Sequence, residues 1–167
     1  HQSIGFSSVL ADADLKAFPL TTDGKAFTVL EHVSNGSNAR LKPGANDWIA
    51  YQSNLSGRPQ VYLTRFPHPA AKYQVSKDGG AQPVWSRDGK TLYYLDAFQK
   101  LTAVDVDVAG DSLRMGPPRT LFQTGIRHSI PTDGYDVSRD GRFLVLNSIT
   151  ESTAPVVLVT NWDMELK

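Results

Sequence analysis

Ser86-Arg87-Asp88-Gly89 is repeated as Ser138-Arg139-Asp140-Gly141, about 50 residues further along the chain. A basic residue and an apolar stretch follow each copy, with Lys90 after the first and Arg142 after the second. Self-similarity at a spacing of roughly 40–50 residues is typical of arrays of supersecondary units that bury their apolar faces against their neighbours. The repeat therefore predicts a repeat architecture.

The pattern of apolar stretches and turn residues in the chain is typical of β-structure. Short apolar stretches are separated by turn residues, and helical periodicity is almost absent. Five Asp-Gly pairs occur, and an Asp-Gly pair between β-stretches is a hairpin signal because glycine accepts a positive φ. We predict that Asp88, Gly89, Asp140 and Gly141 are structural turn residues.

The strands can be phased from their side-chain patterns. Residues 103–108 alternate apolar and acidic, so the valines share one face and Asp105 and Asp107 share the other, as in a half-buried strand. The stretches 92–95 and 143–146 are apolar on both faces, which predicts strands that are covered on both sides.

These strands group into four units, at about residues 1–36, 37–80, 81–128 and 129–167. We predict an all-β fold: one propeller-type domain, a partial β-propeller of about four blades, each a four-stranded antiparallel sheet, with the first and last blades incomplete. No stretch of this sequence supplies the strand that would close the ring, so we expect a homodimer or a fragment of a larger ring. The predicted strands are 4–9, 14–20 and 25–30; then 38–41, 48–53, 59–66 and 72–76; then 82–86, 91–96, 100–108 and 119–124; then 135–138, 142–149 and 155–162.

Several longer stretches resemble a known family. Residues 48–54, 56–62, 72–76, 85–90 and 134–138 are similar to the WD-like propeller repeats of TolB-like proteins. More narrowly, they resemble the C-terminal propeller of bacterial eukaryotic-like serine/threonine kinases and related sensors. The resemblance covers nearly the whole chain from Asp14 onward. It implies the C-terminal part of a longer ring, a periplasmic or otherwise extracytoplasmic location, a sensing or protein-binding role, and no catalytic residues.

Composition excludes several classes of function. Lysine plus arginine equals aspartate plus glutamate at 17 each, so no net charge attracts nucleic acid, and we expect no nucleic-acid partner. Cysteine is absent, which excludes disulfides and thiolate chemistry. Apolar runs are far shorter than the roughly 20 residues of a membrane span, so we expect no membrane insertion.

The sequence favours a binding module over an enzyme. The four histidines are isolated and neither Asp12/Asp14 nor Asp105/Asp107 completes a calcium loop, so we predict no catalytic residues, no metal site and no cofactor. The longest connection without strand character is 124–134, and long loops on a rigid scaffold often bind partners. Our candidate binding loop is therefore Arg127, His128, Pro131 and Asp133, with a protein or a small molecule as the ligand.

The alternative is a hydrolase-type propeller, either glycosidase-like or associated with peptidase activity. Residues 86–92 nearly match the Asp-box of sialidase-type propellers, although Asp88 and Gly89 are adjacent where that motif separates them by one residue. His128-Ser129 also lies near Asp133 and Asp136, the residue types of a hydrolytic triad, but no nucleophile elbow accompanies them.

Overall fold

The computed structural model of this chain describes residues 14–19, 24–31, 33, 38–44, 47–110, 112–126 and 134–146. These residues form thirteen β-strands and no helix, and 53% of them are in strands. The all-β class predicted from the sequence is therefore confirmed. In this part of the chain there is accordingly no helix capable of crossing a membrane.

The strands form four antiparallel sheets, each built from consecutive segments of the chain. None of these sheets closes on itself within the described residues. The first sheet contains β1 (Leu15–Ala17) and β2 (Phe27–Leu30), and the second contains β3 (Arg40–Leu41), β4 (Trp48–Ser53), β5 (Gln60–Arg65) and β6 (Tyr73–Gln74). The third contains β7 (Gly80–Trp85), β8 (Thr91–Asp96), β9 (Lys100–Ala109), β10 (Ser112–Met115) and β11 (Arg119–Gln123), and the fourth contains β12 (Tyr135–Val137) and β13 (Phe143–Val145).

The predicted strands 48–53 and 91–96 coincide with β4 and β8. The predicted strands 4–9 and 155–162 lie outside the described residues.

The third sheet contains one strand more than the sequence predicts. The ten-residue strand β9 pairs with β8 along one edge, while β11 and β10 share its other edge. The extra strand, β10, pairs its Ser112 with Ala109, next to a turn in which Gly110 has a φ of +57°. The sequence did contain a signal for β10, because a glycine after an alternating strand, here Gly110, indicates a hairpin turn.

The four sheets stack face to face in chain order, with an apolar layer between each pair of neighbours. Leu15, Val29 and Val33 face Ile49, Tyr51 and Tyr62 of the second sheet. On the other side of that sheet, Trp48, Ala50, Val61 and Leu63 face Trp85, Leu92 and Val104 of the third. The far side of the third sheet, with Val84, Leu95 and Leu101, packs against Tyr135 and Phe143 of the fourth.

Burial follows the predicted faces in β8 and β9 but not throughout β13. Val104 and Val106 are buried while Asp105 and Asp107 are exposed, and β8 is buried or half-buried along its length. In the fourth sheet Phe143 is buried, but Leu144 is 63% exposed and Leu146 is 57% exposed, so the prediction of two covered faces is wrong there. The reason is alternation: Phe143 points into the layer shared with the third sheet, so its neighbour Leu144 points away from that layer.

Candidate functional site

Three turns in neighbouring sheets lie at the same edge of the stack. Each joins the first strand of a sheet to its second: residues 42–44 in the second sheet, 86–90 in the third and 138–142 in the fourth. The first two are in direct contact, since a Cβ placed on Gly89 would lie 2.9 Å from the carbonyl oxygen of Pro43. The turns of the third and fourth sheets flank one cleft. We call these three segments the turn rim.

The first Ser-Arg-Asp-Gly copy is a self-contained hydrogen-bonded turn. The Ser86 hydroxyl donates to Asp88 Oδ1 at 2.7 Å, and the same carboxylate oxygen accepts the Lys90 N–H at 3.0 Å. The Ser86 oxygen in turn accepts the Thr91 N–H at 2.9 Å, which ties the turn to the start of β8. Gly89 has a φ of +68°, a conformation that L side chains rarely adopt.

The second copy repeats this geometry. The Ser138 hydroxyl donates to Asp140 Oδ1, and the Ser138 oxygen accepts the Arg142 N–H at 3.0 Å. Arg142 Nε also lies 2.9 Å from Asp140 Oδ2, and Gly141 has a φ of +82°. The two turns therefore share the serine-to-aspartate hydrogen bond and a glycine at positive φ. They differ in that the serine oxygen accepts the N–H of Thr91 in the first copy and that of Arg142, one position earlier in the repeat, in the second.

The carboxylates of the two turns are held in their charged form. The hydrogen bond from Ser86, followed by that from the Lys90 N–H, holds the pKa of Asp88 below its usual range. The hydrogen bonds from Ser138 and then from Arg142 lower the pKa of Asp140 to about 2. Both groups are therefore fixed acceptors near neutral pH and hold no proton that could be donated.

The cleft between the two turns has a volume of about 440 Å³. Its lining includes Ser86, Arg87 and Tyr93 from the third sheet, with Ser138 and Arg139 from the fourth. Tyr93 is half-buried and meets Phe143 edge-on, with the ring centroids 5.0 Å apart. Burial, followed by the nearby charge of Asp88, raises the pKa of Tyr93, so its hydroxyl stays neutral.

The turn rim is rich in basic residues, although the chain is neutral overall. It has five basic side chains against the two aspartates. The basic side chains of the rim outnumber its aspartates, so the formal charge of these residues is positive. The basic residues are Lys42, Arg87, Lys90, Arg139 and Arg142.

A matched pair of glycine variants tests how the turns meet. Gly141→Ala is expected to lower the free energy of unfolding by about 1–2 kcal/mol, because alanine is strained at positive φ and its Cβ would meet open space. Gly89→Ala is expected to cost about 1 kcal/mol more, since its Cβ also presses on Pro43. Urea unfolding of both variants measures the difference, and equal losses would show that turns 42–44 and 86–90 do not touch.

A second polar cluster centres on Gln82, in a bulge of β7. Gln82 is 2% exposed and has a φ of +52°, which is uncommon for a residue other than glycine. Its N–H donates to Gln52 Oε1 at 3.1 Å, and its own Oε1 accepts the Gly134 N–H at 2.8 Å. The Tyr135 hydroxyl donates to the Gln82 carbonyl at 2.8 Å. This one residue therefore links the second, third and fourth sheets.

Sequence reasoning did not single out Gln82, and for Tyr93 it favoured core packing over stacking on a base or sugar. Pro83 could have drawn attention to Gln82, because proline within an inner strand indicates a bulge. No signal marked Tyr93 as a cleft residue, since its position depends on how the third and fourth sheets stack.

The sequence-predicted binding loop, with Arg127, His128, Pro131 and Asp133, lies outside the described residues. Its two flanking residues are described: Ile126 is 1% exposed, and a Cβ on Gly134 would lie 2.5 Å from Ile126 Cγ2. The ends of this connection are thus packed tightly between the third and fourth sheets.

Acidic and histidine side chains do not gather into a metal centre in the part of the chain described here. Asp105 is bonded to the Thr91 hydroxyl at 3.3 Å and to Arg119 at 3.1 Å. Two acidic pairs were considered as calcium ligands from the sequence. Asp105 and Asp107 of one pair are exposed on β9, whereas Asp12 of the other lies outside the described residues.

Comparison with models of known protein families gives no match, and no curated protein sequence is significantly similar to this chain.

Proposed function

We propose that this chain is part of a β-propeller of the TolB-like, WD-like class and acts as a non-catalytic binding or scaffold module. The blade assignment is supported by four antiparallel sheets that follow one another in the chain and stack in the same order. The sheets also follow the four units at about 1–36, 37–80, 81–128 and 129–167, with β7 beginning one residue before the third unit.

The position of β7 supports the radial arrangement. This first strand of the third sheet is next to β3, β4 and β5 of the second sheet and to β12 of the fourth. Among these neighbours β3 and β12 are the first described strands of their sheets, and adjacent first strands are expected of blades arranged around a central axis. The Gln82 hydrogen bonds between three sheets lie on this same strand.

The proposed binding role is supported by one observation. The turns 86–90 and 138–142 flank a single cleft, and each is stabilised by internal hydrogen bonds. Binding residues in repeat scaffolds commonly lie on such turns, because the sheets fix the backbone while the loop side chains remain accessible. We propose a protein or small ligand as the partner and assign no role to nucleic acid.

The hydrolase alternative has weaker support. A retaining glycosidase requires two carboxyl groups about 5 Å apart, one of them with a raised pKa so that it can act as an acid. The Asp-box-like carboxylates Asp88 and Asp140 have lowered pKa values and are bonded within their turns. Their geometry is that of turn residues.

Two measurements on the full chain test the proposed function. Nitrophenyl glycosides, acetate esters and a peptide substrate are expected to turn over at the rate seen with heat-unfolded protein. A random peptide library is expected to yield binders that shift the NMR amide signals of the turn rim. Folded-state hydrolysis that Asp88→Asn or Asp140→Asn abolishes, or binders that map only away from the rim, would overturn the proposal.

Self-association stays a prediction. It is supported by exposed apolar side chains on the two outer sheets of the stack, with Phe27 37% exposed on β2 and Leu144 63% exposed on β13. Light scattering at tens of micromolar is the direct measurement, and a monomer at that concentration would count against it.

A further inference from the structure

We propose that a cavity between the first and second sheets binds an uncharged, compact apolar group that carries one hydroxyl, such as the phenol ring of a tyrosine side chain. In this inference the Tyr51 hydroxyl forms a hydrogen bond with the hydroxyl of the ligand. We call the site the Tyr51 cavity. Its lining shares no residue with the turn rim, so the inference does not rest on the binding role proposed for the rim.

The Tyr51 cavity lies where the end of β2 meets the second sheet. Leu30 and Val33, at and just after the end of β2, line one side, and Tyr51 of β4 and Thr64 of β5 line the other. Its volume is about 160 Å³, and an apolar cavity of about 150 Å³ is large enough to hold benzene. Pockets for drug-sized ligands occupy roughly 300–1,000 Å³. The volume therefore suits a single ring or one branched side chain.

The Tyr51 hydroxyl is the polar group that points to a ligand. Tyr51 is 4% exposed, and its ring stacks on that of Tyr62 with the centroids 5.7 Å apart. Buried tyrosine hydroxyls usually have a hydrogen-bond partner, yet that of Tyr51 bonds to none of the residues that the structure describes. The Thr64 hydroxyl, which also belongs to the lining, already donates to the Ala71 carbonyl at 2.9 Å. The Tyr51 hydroxyl is thus available to a ligand that carries a matching group.

The charges of the lining favour an uncharged ligand. Glu31 and Lys72 both line the cavity, so an ion attracted by one of them is repelled by the other. The Lys72 ammonium already lies over the ring of Tyr62, with Nζ 5.0 Å from the centroid. Burial, followed by the interaction with Tyr62, raises the pKa of Tyr51, so its phenol keeps its proton near neutral pH. The proposed hydrogen bond therefore joins two neutral groups.

The wall formed by residues 69–72 is held in place before any ligand binds. The hydrogen bond from Thr64 to Ala71 ties this segment to β5. Directly after the segment, Tyr73 of β6 pairs with Leu63 of β5. A wall that is already fixed loses little conformational entropy on binding, which favours affinity for a small ligand.

The mouth of the cavity is apolar. Leu55, in the turn between β4 and β5, is 55% exposed, and Pro69 and Ala70 are also exposed. Single exposed apolar side chains are common on protein surfaces, but these three line the same cavity. A ligand in the cavity would remove part of their surface from water. The opening also allows a tyrosine side chain to enter while its own backbone stays outside.

The experiment titrates the full chain with p-cresol and follows the amide signals by NMR. p-Cresol is a tyrosine side chain without its backbone, and toluene differs from it only by lacking the hydroxyl. We expect p-cresol to bind with a Kd of roughly 1 mM, and toluene to bind about threefold to tenfold more weakly. The largest shifts are expected in residues 69–72. Tyramine and 4-hydroxyphenylacetate, which add a positive and a negative charge, are expected to bind no more tightly than p-cresol.

Two matched pairs of variants test the lining, with folding checked by urea midpoints. Tyr51→Phe is expected to weaken p-cresol about threefold to tenfold and to leave toluene unchanged, because only the hydrogen bond is lost. Its control, Tyr73→Phe, removes a hydroxyl from the opposite face of the second sheet and should change neither affinity. Leu55→Ala is expected to weaken both ligands, whereas Leu146→Ala, at 57% exposure beside β13, should weaken neither.

A capped Ala-Tyr-Ala peptide distinguishes the two sources of a phenol. Tighter binding of the peptide than of p-cresol assigns the cavity to a tyrosine of a partner protein, and the reverse order assigns it to a free phenol. The inference is overturned by equal affinities for p-cresol and toluene, by an unchanged p-cresol affinity in Tyr51→Phe, or by no binding at millimolar concentrations. Tighter binding of either charged analogue would also overturn it. Shifts confined to the turn rim would refute the cavity and leave the proposed function standing.

Discussion

Replacing Trp48 with alanine is expected to lower the free energy of unfolding by about 3–5 kcal/mol. Trp48 is 1% exposed and lies in the apolar layer between the second and third sheets. Its ring lies 5.8 Å from that of Tyr73, and the Arg65 guanidinium carbon lies 4.9 Å from its centroid. Truncation therefore removes a large buried side chain from a layer in which two sheets hold its neighbours in place. Equilibrium unfolding in urea, followed by far-ultraviolet circular dichroism, measures the loss.

Two control variants allow the Trp48→Ala measurement to be interpreted. Trp48→Phe is expected to cost far less, because it keeps an aromatic ring in the layer and removes an indole N–H that has no hydrogen-bond partner in the described structure. Leu144→Ala is expected to change the free energy of unfolding by less than about 0.5 kcal/mol, since that side chain is 63% exposed. A loss below about 1 kcal/mol for Trp48→Ala would show that the second and third sheets do not pack through this layer.

Gln82→Ala is expected to lower the free energy of unfolding by about 1–3 kcal/mol, because it leaves the buried Gly134 N–H without its acceptor. Alanine at position 82 can keep the backbone hydrogen bonds with Gln52 and Tyr135. The decrease in the free energy of unfolding therefore measures the contribution of the Gln82 side chain. Because Gln82 joins the third sheet to the fourth, faster amide hydrogen exchange is expected around Gly134. Denaturant unfolding and hydrogen exchange together measure both effects.

The chain contains a close control for this variant. Gln99 also has a positive φ, at +64°, but it is only partly buried, in the turn between β8 and β9. Its backbone N–H and C=O bond to Asp96 and Thr124, and alanine keeps these bonds. Gln99→Ala therefore retains the same backbone strain and is expected to change stability by less than about 0.5 kcal/mol. Equal effects at the two positions would attribute the Gln82 result to backbone conformation instead of to the bond with Gly134.

The local part of this fold was readable in the sequence. Strands β4 and β8 were predicted to the residue, because their apolar stretches end at turn residues on both sides. The two faces of β9 followed from strict alternation of valine and aspartate. Periodicity and turn chemistry act over a few residues, so a single stretch of sequence contains the whole signal.

Only part of the candidate site could be predicted from the sequence. The Ser-Arg-Asp-Gly repeat drew attention to Asp88 and Asp140, and the predicted role for both was in turns. Nothing in the spacing of about 50 residues indicated that Arg87 and Arg139 line one cleft, or that Tyr93 joins them there. The sequence-based choice of a binding segment was instead the long connection with His128.

By itself, the sequence determined the strand class, the repeat and the conformation of its turns, because backbone geometry at aspartate and glycine is a local property. Only the tertiary structure decided which turns became neighbours, which face of β13 was covered, and that Gln82 connects three sheets. These features arise from the stacking of sheets that are distant in the chain. They depend on the summed burial of many apolar side chains, and no single motif encodes that sum.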